Sequence, residues 1–169
     1  TGSCEIGDSF NAGEASISGF ELVAETEMTS ESGIKYPLSM VYTSTDASFD
    51  NTFDSDFWGS VTSGMDIPDL PDSQLALQAG FETQTGLRGS ATYYSYGSTC
   101  SVASCAAETS VDSYNVIDAS LTKMISDQLD VYVVVENITD ETDVVARAPK
   151  NGARAQKPCS FTVGVRYRL

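Results

Sequence analysis

The chain has 169 residues, 24 Asp and Glu against 9 Lys and Arg for a net charge of −15, 41% hydrophobic residues and no histidine. That balance argues against a nucleic-acid partner, which needs a clustered positive surface, and 15 Phe and Tyr residues argue against a disordered acidic tail. Without histidine, Cys/His zinc sites and Ser-His-Asp relays are excluded and no enzyme is expected, while the lack of any run of about 18 apolar residues excludes a spanning helix and leaves spanning strands open.

The chain opens Thr1-Gly2-Ser3-Cys4, without the basic and apolar regions of a secretory leader. Beyond it, alternation of period two, the mark of a strand with one wet and one apolar face, predicts seven strands. Over 17–28, Phe20, Leu22 and Ala24 alternate with Glu21 and Glu25; over 36–49, Leu38, Met40 and Tyr42 share a row. Leu75, Leu77, Ala79 and Phe81 then oppose Gln74, Gln78, Gly80 and Glu82, and over 87–96 Leu87, Gly89, Ala91 and Tyr93 oppose Arg88, Ser90, Thr92 and Tyr94. Ile117, Ala119 and Leu121 oppose Asp118, Ser120 and Thr122; Leu129, Val131, Val133 and Val135 oppose Asp130, Tyr132, Val134 and Glu136. The last strand carries Phe161, Val163, Val165, Tyr167 and Leu169 on one row, with Thr162, Gly164, Arg166 and Arg168 on the other.

The connections alternate in length. Turns at 29–33, 83–86 and 126–127 are short and polar, as tight hairpins require, whereas 50–73, 97–115 and 140–159 are long. Short turns at one end and long loops at the other are the signature of an outer-membrane β-barrel; a soluble sandwich has no reason to sort its loops this way. Bacterial barrels use even strand numbers, so seven strands make either one wall of a larger barrel or a miscounted eight-stranded one.

Four segments, in order, carry a family resemblance. Gly13-Glu14-Ala15-Ser16-Ile17-Ser18-Gly19-Phe20-Glu21-Leu22 resembles the A-x-I-x-G-x-E-L strand start of TonB-dependent outer-membrane receptors, and Ile67-Pro68-Asp69-Leu70-Pro71-Asp72-Ser73-Gln74-Leu75 resembles their proline-flanked approach to a strand. Val135-Glu136-Asn137-Ile138-Thr139-Asp140-Glu141 resembles their V-x-N-l-x-D strand end, and 158–169 resembles their closing strand. Cys159 stands where the family usually has Arg, Leu169 where Phe is commonest and Asp69 where an aromatic is frequent, departures that leave the substrate class open.

The resemblance implies an all-β, antiparallel up-and-down transmembrane β-barrel. Residues 1–169 would be its C-terminal part, about the last seven strands of about 22, with the plug domain, the TonB-contacting box and the upstream strands lying outside this chain. It further implies a receptor of the bacterial outer membrane that binds and imports an iron chelate, such as a ferric siderophore or ferric citrate, or a similar scarce ligand. Implied partners are the rest of the barrel and plug, TonB, outer-membrane lipid and lipopolysaccharide, and the ferric chelate or other small ligand; no cofactor is implied. Phe161, Val163, Val165, Tyr167 and Leu169 would form the C-terminal strand read by the barrel-insertion machinery. The competing expectation is a secreted or surface-exposed acidic β-domain with a structural or adhesive role.

Candidate site residues lie in the long loops. All 24 acidic residues fall at or before Asp143, while the last 26 residues carry six basic ones. Of these, Arg147, Lys150 and Arg154, with Lys157, suit an anionic chelate or lipid head groups. Phe57 and Trp58, near Phe49 and Phe53, form either a stacking platform for a ligand or interface and loop-packing aromatics. Asp46, Asp50, Asp54 and Asp56 lack EF-hand spacing, so a solvated acidic loop is favoured over a calcium site, and no metal is expected. Cys100 and Cys105 are close enough in sequence to form a disulfide, with the pairing of Cys4 and Cys159 open.

Overall fold

A computed structural model describes residues 13–55, 58–147 and 152–168; Cys4, Asp56, Phe57, Lys150 and Leu169 lie outside the described residues. Within them the chain forms strands β1 (Ala15–Thr29), β2 (Lys35–Phe49), β3 (Phe53–Ser55), β4 (Gly59–Val61), β5 (Ser73–Glu82), β6 (Leu87–Tyr96), β7 (Thr99–Cys100), β8 (Ser110–Val111), β9 (Tyr114–Ser126), β10 (Leu129–Glu136), β11 (Val144–Arg147), β12 (Ala153–Ala155) and β13 (Ser160–Tyr167). Seven of these make one antiparallel sheet in the order β1-β2-β5-β6-β9-β10-β13. These are the seven strands the alternation predicts, extended by up to four residues at their ends, except that β13 stops at Tyr167, with Arg168 past its end rather than continuing the strand. The three pairs β3–β4, β7–β8 and β11–β12 are small ribbons inside the long loops, which alternation does not reveal.

Turn chemistry explains the short connections. Ser30 and Thr83 each begin a turn in which their hydroxyl accepts from the backbone N–H four residues on, at Ile34 (3.1 Å) and Leu87 (3.0 Å). Gly33 and Gly86 supply the positive φ, 77° and 75°, that closes each turn, a conformation open to glycine at little cost. The third turn passes through Asp127 and Gln128, followed by a register shift between Leu129 and Asp130.

Cross-strand register places the residues of each row on a common face. One face is apolar, running from Phe20, Leu22, Leu38, Met40 and Tyr42 through Leu77, Tyr93, Ile117 and Leu121 to Val131, Val133 and the odd positions of β13. It is also bare: Phe20 is 60% exposed, Phe161 77%, Val163 and Val165 65% and Tyr167 60%. Leaving such a side chain in water forfeits about 1.5–3 kcal/mol, so a handful equals the entire stability of an ordinary domain, about 5–15 kcal/mol. This face therefore requires an apolar medium.

The size of the apolar band fits a bilayer. On β2, Tyr36 and Tyr42 bracket Leu38 and Met40; on β13, Phe161 and Tyr167 bracket Val163 and Val165. Six residues of strand span about 20 Å, close to the band of about 25 Å flanked by aromatic girdles in spanning barrels. Above that band the same face turns polar, where Ser16 pairs across with Ser48 and Ser18 with Asp46. The buried hydrophobic residues, Phe49, Val61, Val102, Ala103 and Val111, all lie at or beyond the long-loop end of the sheet.

Candidate functional site: the loop cluster and the wet wall

The three long loops interlock at one end of the sheet. Phe49, Val61 and Ala103 form a small core with Phe53, Trp58, Met65 and Ile67, joining the first loop to the second. The rings of Phe53 and Trp58 each sit 5.3 Å from that of Phe49. Trp58 thus packs within the loop cluster against Phe49.

In the second loop Cys100 and Cys105 are joined by a disulfide, as their spacing suggested. The cross-linked turn is held by Ser101 N–H on the Thr109 carbonyl and is buried at Ser101, Val102 and Thr109. Asp69, at φ 60°, donates its N–H to the Cys100 carbonyl at 2.8 Å, a second link between loops one and two. Burial against this junction pushes the Asp69 carboxyl up from its ordinary range, although part of the side chain stays in water.

Arg147, in β11, donates from Nε to the Ser110 carbonyl at 2.5 Å, docking loop three onto loop two. Arg154 lies exposed on the adjacent β12, and the Lys157 ammonium pairs with Glu136 at 2.6 Å. Of the described basic residues, one guanidinium docks a loop and one ammonium pairs with the end of β10.

Between loops one and two lies a cleft of about 450 Å³ whose acidic lining is Asp46, Asp66, Asp72 and Asp112. Asp50 and Asp54 are elsewhere, each accepting from a serine hydroxyl, Ser16 (2.8 Å) and Ser60 (2.6 Å). Among the described residues no three Asp, Glu or Cys side chains converge as metal ligands.

Below the loops the second face of the sheet is wet. Successive rows across it read Glu21, Thr43, Gln74, Tyr96, Tyr114 and then Glu25, Ser39, Gln78, Thr92, Asp118, with the apolar row Val23, Val41, Ala76, Tyr94, Val116 between them. Tyr96 and Tyr114 stack at 4.8 Å. At the short-turn end the row becomes cationic, with Arg88, Arg166 and Arg168 around Asp130, which is 2% exposed. Arg168 reaches Asp130 at 2.6 Å and Arg88 at 3.7 Å. The alternation placed Asp130 on the polar row; its burial depends on partners far away in sequence.

Asn137 is a hub that sequence reasoning left as a simple strand end. It is 2% exposed at φ 50°, and its amide donates to the carbonyls of Glu141 and Lys157 and accepts from Glu141 N–H. Its own N–H donates to Asp118, and Asp140 accepts from Cys159 N–H at 2.8 Å. The N-x-x-D spacing therefore ends β10 and aims the chain into β13.

A sheet with one bare apolar face, one wet face, short turns at one end and interlocked loops at the other is the wall of a membrane-spanning β-barrel protein. A family model for the TonB dependent receptor-like β-barrel matches residues 2–138, and the chain belongs to that family. Members are outer-membrane proteins. Among solved structures the chain is similar to the siderophore receptor PiuA from Acinetobacter baumannii, with a TM-score of 0.73 at 18% identity, covering 93% of this chain and 22% of that one. It is also similar to the ferric-catecholate import receptor Fiu from E. coli, with a TM-score of 0.61 at 17% identity, covering 90% of this chain and 25% of that one. At such identities the likeness speaks for the fold, and the chain spans about a quarter of the length of these receptors. A search of curated proteins finds no match.

Proposed function

We propose that this chain is the C-terminal part of the wall of a bacterial outer-membrane receptor that binds and imports a ferric chelate or similar scarce small ligand. The two-faced wall supports this reading: its apolar rows suit lipid and the acyl chains of lipopolysaccharide, and its wet rows suit a lumen filled by a plug. The free edges of β1 and β13 would be paired by the remaining strands of the barrel. In this orientation the three long loops are extracellular and the three short turns periplasmic. Import would draw on TonB through a part of the receptor outside this chain.

Arg154 and Lys150 would offer cations to an anionic chelate at the mouth, with Arg147 and Trp58 holding the loops around it and Phe57 available for aromatic contact. The test is deletion of the gene followed by growth under iron limitation on a panel of ferric catecholates, hydroxamates and citrate. Loss of growth on one chelate, restored by the wild-type gene and weakened by Arg154→Ala, is the expected result. Unchanged uptake of the whole panel, or recovery of the protein folded in the soluble fraction without detergent, would favour the surface-exposed acidic domain instead.

A further inference from the structure

The apolar pattern does not by itself fix the register of β13. A slip of one residue against β10 would turn Phe161, Val163, Val165 and Tyr167 to the wet face and is excluded on that ground. A slip of two residues is not. Val131, Val133 and Val135 would then meet Tyr167, Val165 and Val163 in one direction, and Val131 and Val133 would meet Val163 and Phe161 in the other. The valines of both central rows keep apolar neighbours, and only the row ends lose them, Phe161 in the first slip and Tyr167 in the second.

Beside the Asn137–Lys157 and Asp140–Cys159 contacts at the loop end of the strand, two contacts nearer its turn end separate the observed pairing from its slipped alternatives. Tyr132 lies over Gly164, where an added Cβ would come within 2.3 Å of the ring Cζ and hydroxyl oxygen. Gly164 is the glycine of β13, so a two-residue slip sets either Thr162 or Arg166 against the ring. In the observed register the Arg166 guanidinium caps the ring at 5.8 Å.

The second contact lies just past the strand. Arg168 donates its N–H to the Gln128 carbonyl (2.9 Å), Nη1 to the Asp127 carbonyl (3.4 Å) and Nη2 to Asp130 (2.6 Å). The slip that sets Gly164 opposite Asp130 carries Arg168 about 7 Å along the strand and strips a buried carboxylate of its nearest partner. The opposite slip keeps an arginine near Asp130 but drives Arg166 against Tyr132.

We propose that the Tyr132–Gly164 contact and the Asp130–Arg168 ion pair together form a register key for β13, distinguishing pairings that the apolar pattern leaves close to equivalent. The consequence reaches beyond one hairpin. On the reading proposed above, in which β13 is the closing strand, barrel closure fixes the stagger between first and last strands, so a slip in β13 would be carried into the seam.

Cross-linking reads the register directly. In the receptor assembled in outer membranes, with Cys4 and Cys159 replaced by serine, the pair V133C/V163C reports the observed register, and V133C/V165C and V133C/F161C report the two slips. With the key intact, only V133C/V163C is expected to cross-link on oxidation. Combining Tyr132→Ala with Asp130→Asn is expected to raise slipped products at least about tenfold in the folded fraction. Cross-linking still confined to V133C/V163C in that variant would overturn the proposal. Gly164→Val should block assembly in the observed register, and Gly164→Val with Tyr132→Ala should restore it because the clash is gone. Failure of that restoration would also count against the key.

Discussion

The Asn137 amide donates to the Lys157 carbonyl at 2.8 Å, tying the end of β10 to the approach to β13 across the third long loop. The same side chain spans its own turn through Glu141, so a single buried residue closes the loop at its base. Asn137→Asp would set a carboxylate against the Glu141 and Lys157 carbonyls with no donor to offer them. A loss of about 2–3 kcal/mol is expected, against about 1–2 for Asn137→Ser, which keeps a donor. Denaturant unfolding of the folded receptor in detergent measures both.

The disulfide makes a separate prediction. Cys100 carries the carbonyl that accepts from Asp69, and the turn it closes is buried against loop one. Replacing Cys100 and Cys105 together by serine should cost about 2 kcal/mol of loop stability. Limited proteolysis is expected to cut within 101–109 in the variant and not in the wild type, while the strands stay protected.

At the other end of the wall, Asp130 and Arg168 should respond unequally to mutation. Arg168→Ala leaves a buried carboxylate with Arg88 alone at 3.7 Å, whereas Asp130→Asn leaves two half-exposed guanidiniums that water can solvate. The first is expected to cost about 2–3 kcal/mol and the second about 1, below the figures for fully buried pairs because both arginines reach solvent. Equal losses would contradict this account of the pair.

Asp69 gives the pH dependence. Its carboxyl titrates higher in the folded loops than in an unfolded chain, because burial disfavours its charged form. Its contribution is then fully present below the unfolded carboxylate range and is lost as pH rises through the folded value. Asp69→Asn keeps a side chain that tolerates the positive φ and removes the charge. The variant should hold loop two more firmly than wild type at pH 7 and match it near pH 3, as read by hydrogen exchange at Ser101 and Thr109.

The sheet was legible in the sequence because each of its seven strands repeats a period-two pattern over five or more residues, and the loops were legible from their lengths. The ribbons β3–β4, β7–β8 and β11–β12 were not, since strands of two to four residues hold too few alternations to register. Cys100 and Cys105 could be paired because the partners are local. Arg147 could not be assigned, because its partner, the Ser110 carbonyl, lies 37 residues away and is a backbone atom that side-chain patterns do not encode. The burial of Asp130 escaped for a similar reason: its two arginines come from β6 and from beyond β13.

The central claim is that the bare apolar face of the wall meets lipid. A cysteine placed in turn at 161, 162, 163, 165, 166 and 167, each carrying a fluorophore in the membrane-inserted receptor with Cys4 and Cys159 replaced, tests it through quenching by nitroxide-labelled lipid. Strong quenching at Phe161, Val163, Val165 and Tyr167, and weak quenching at Thr162 and Arg166, is the predicted pattern. Uniform quenching along the strand, or strong quenching at the even positions, would contradict it.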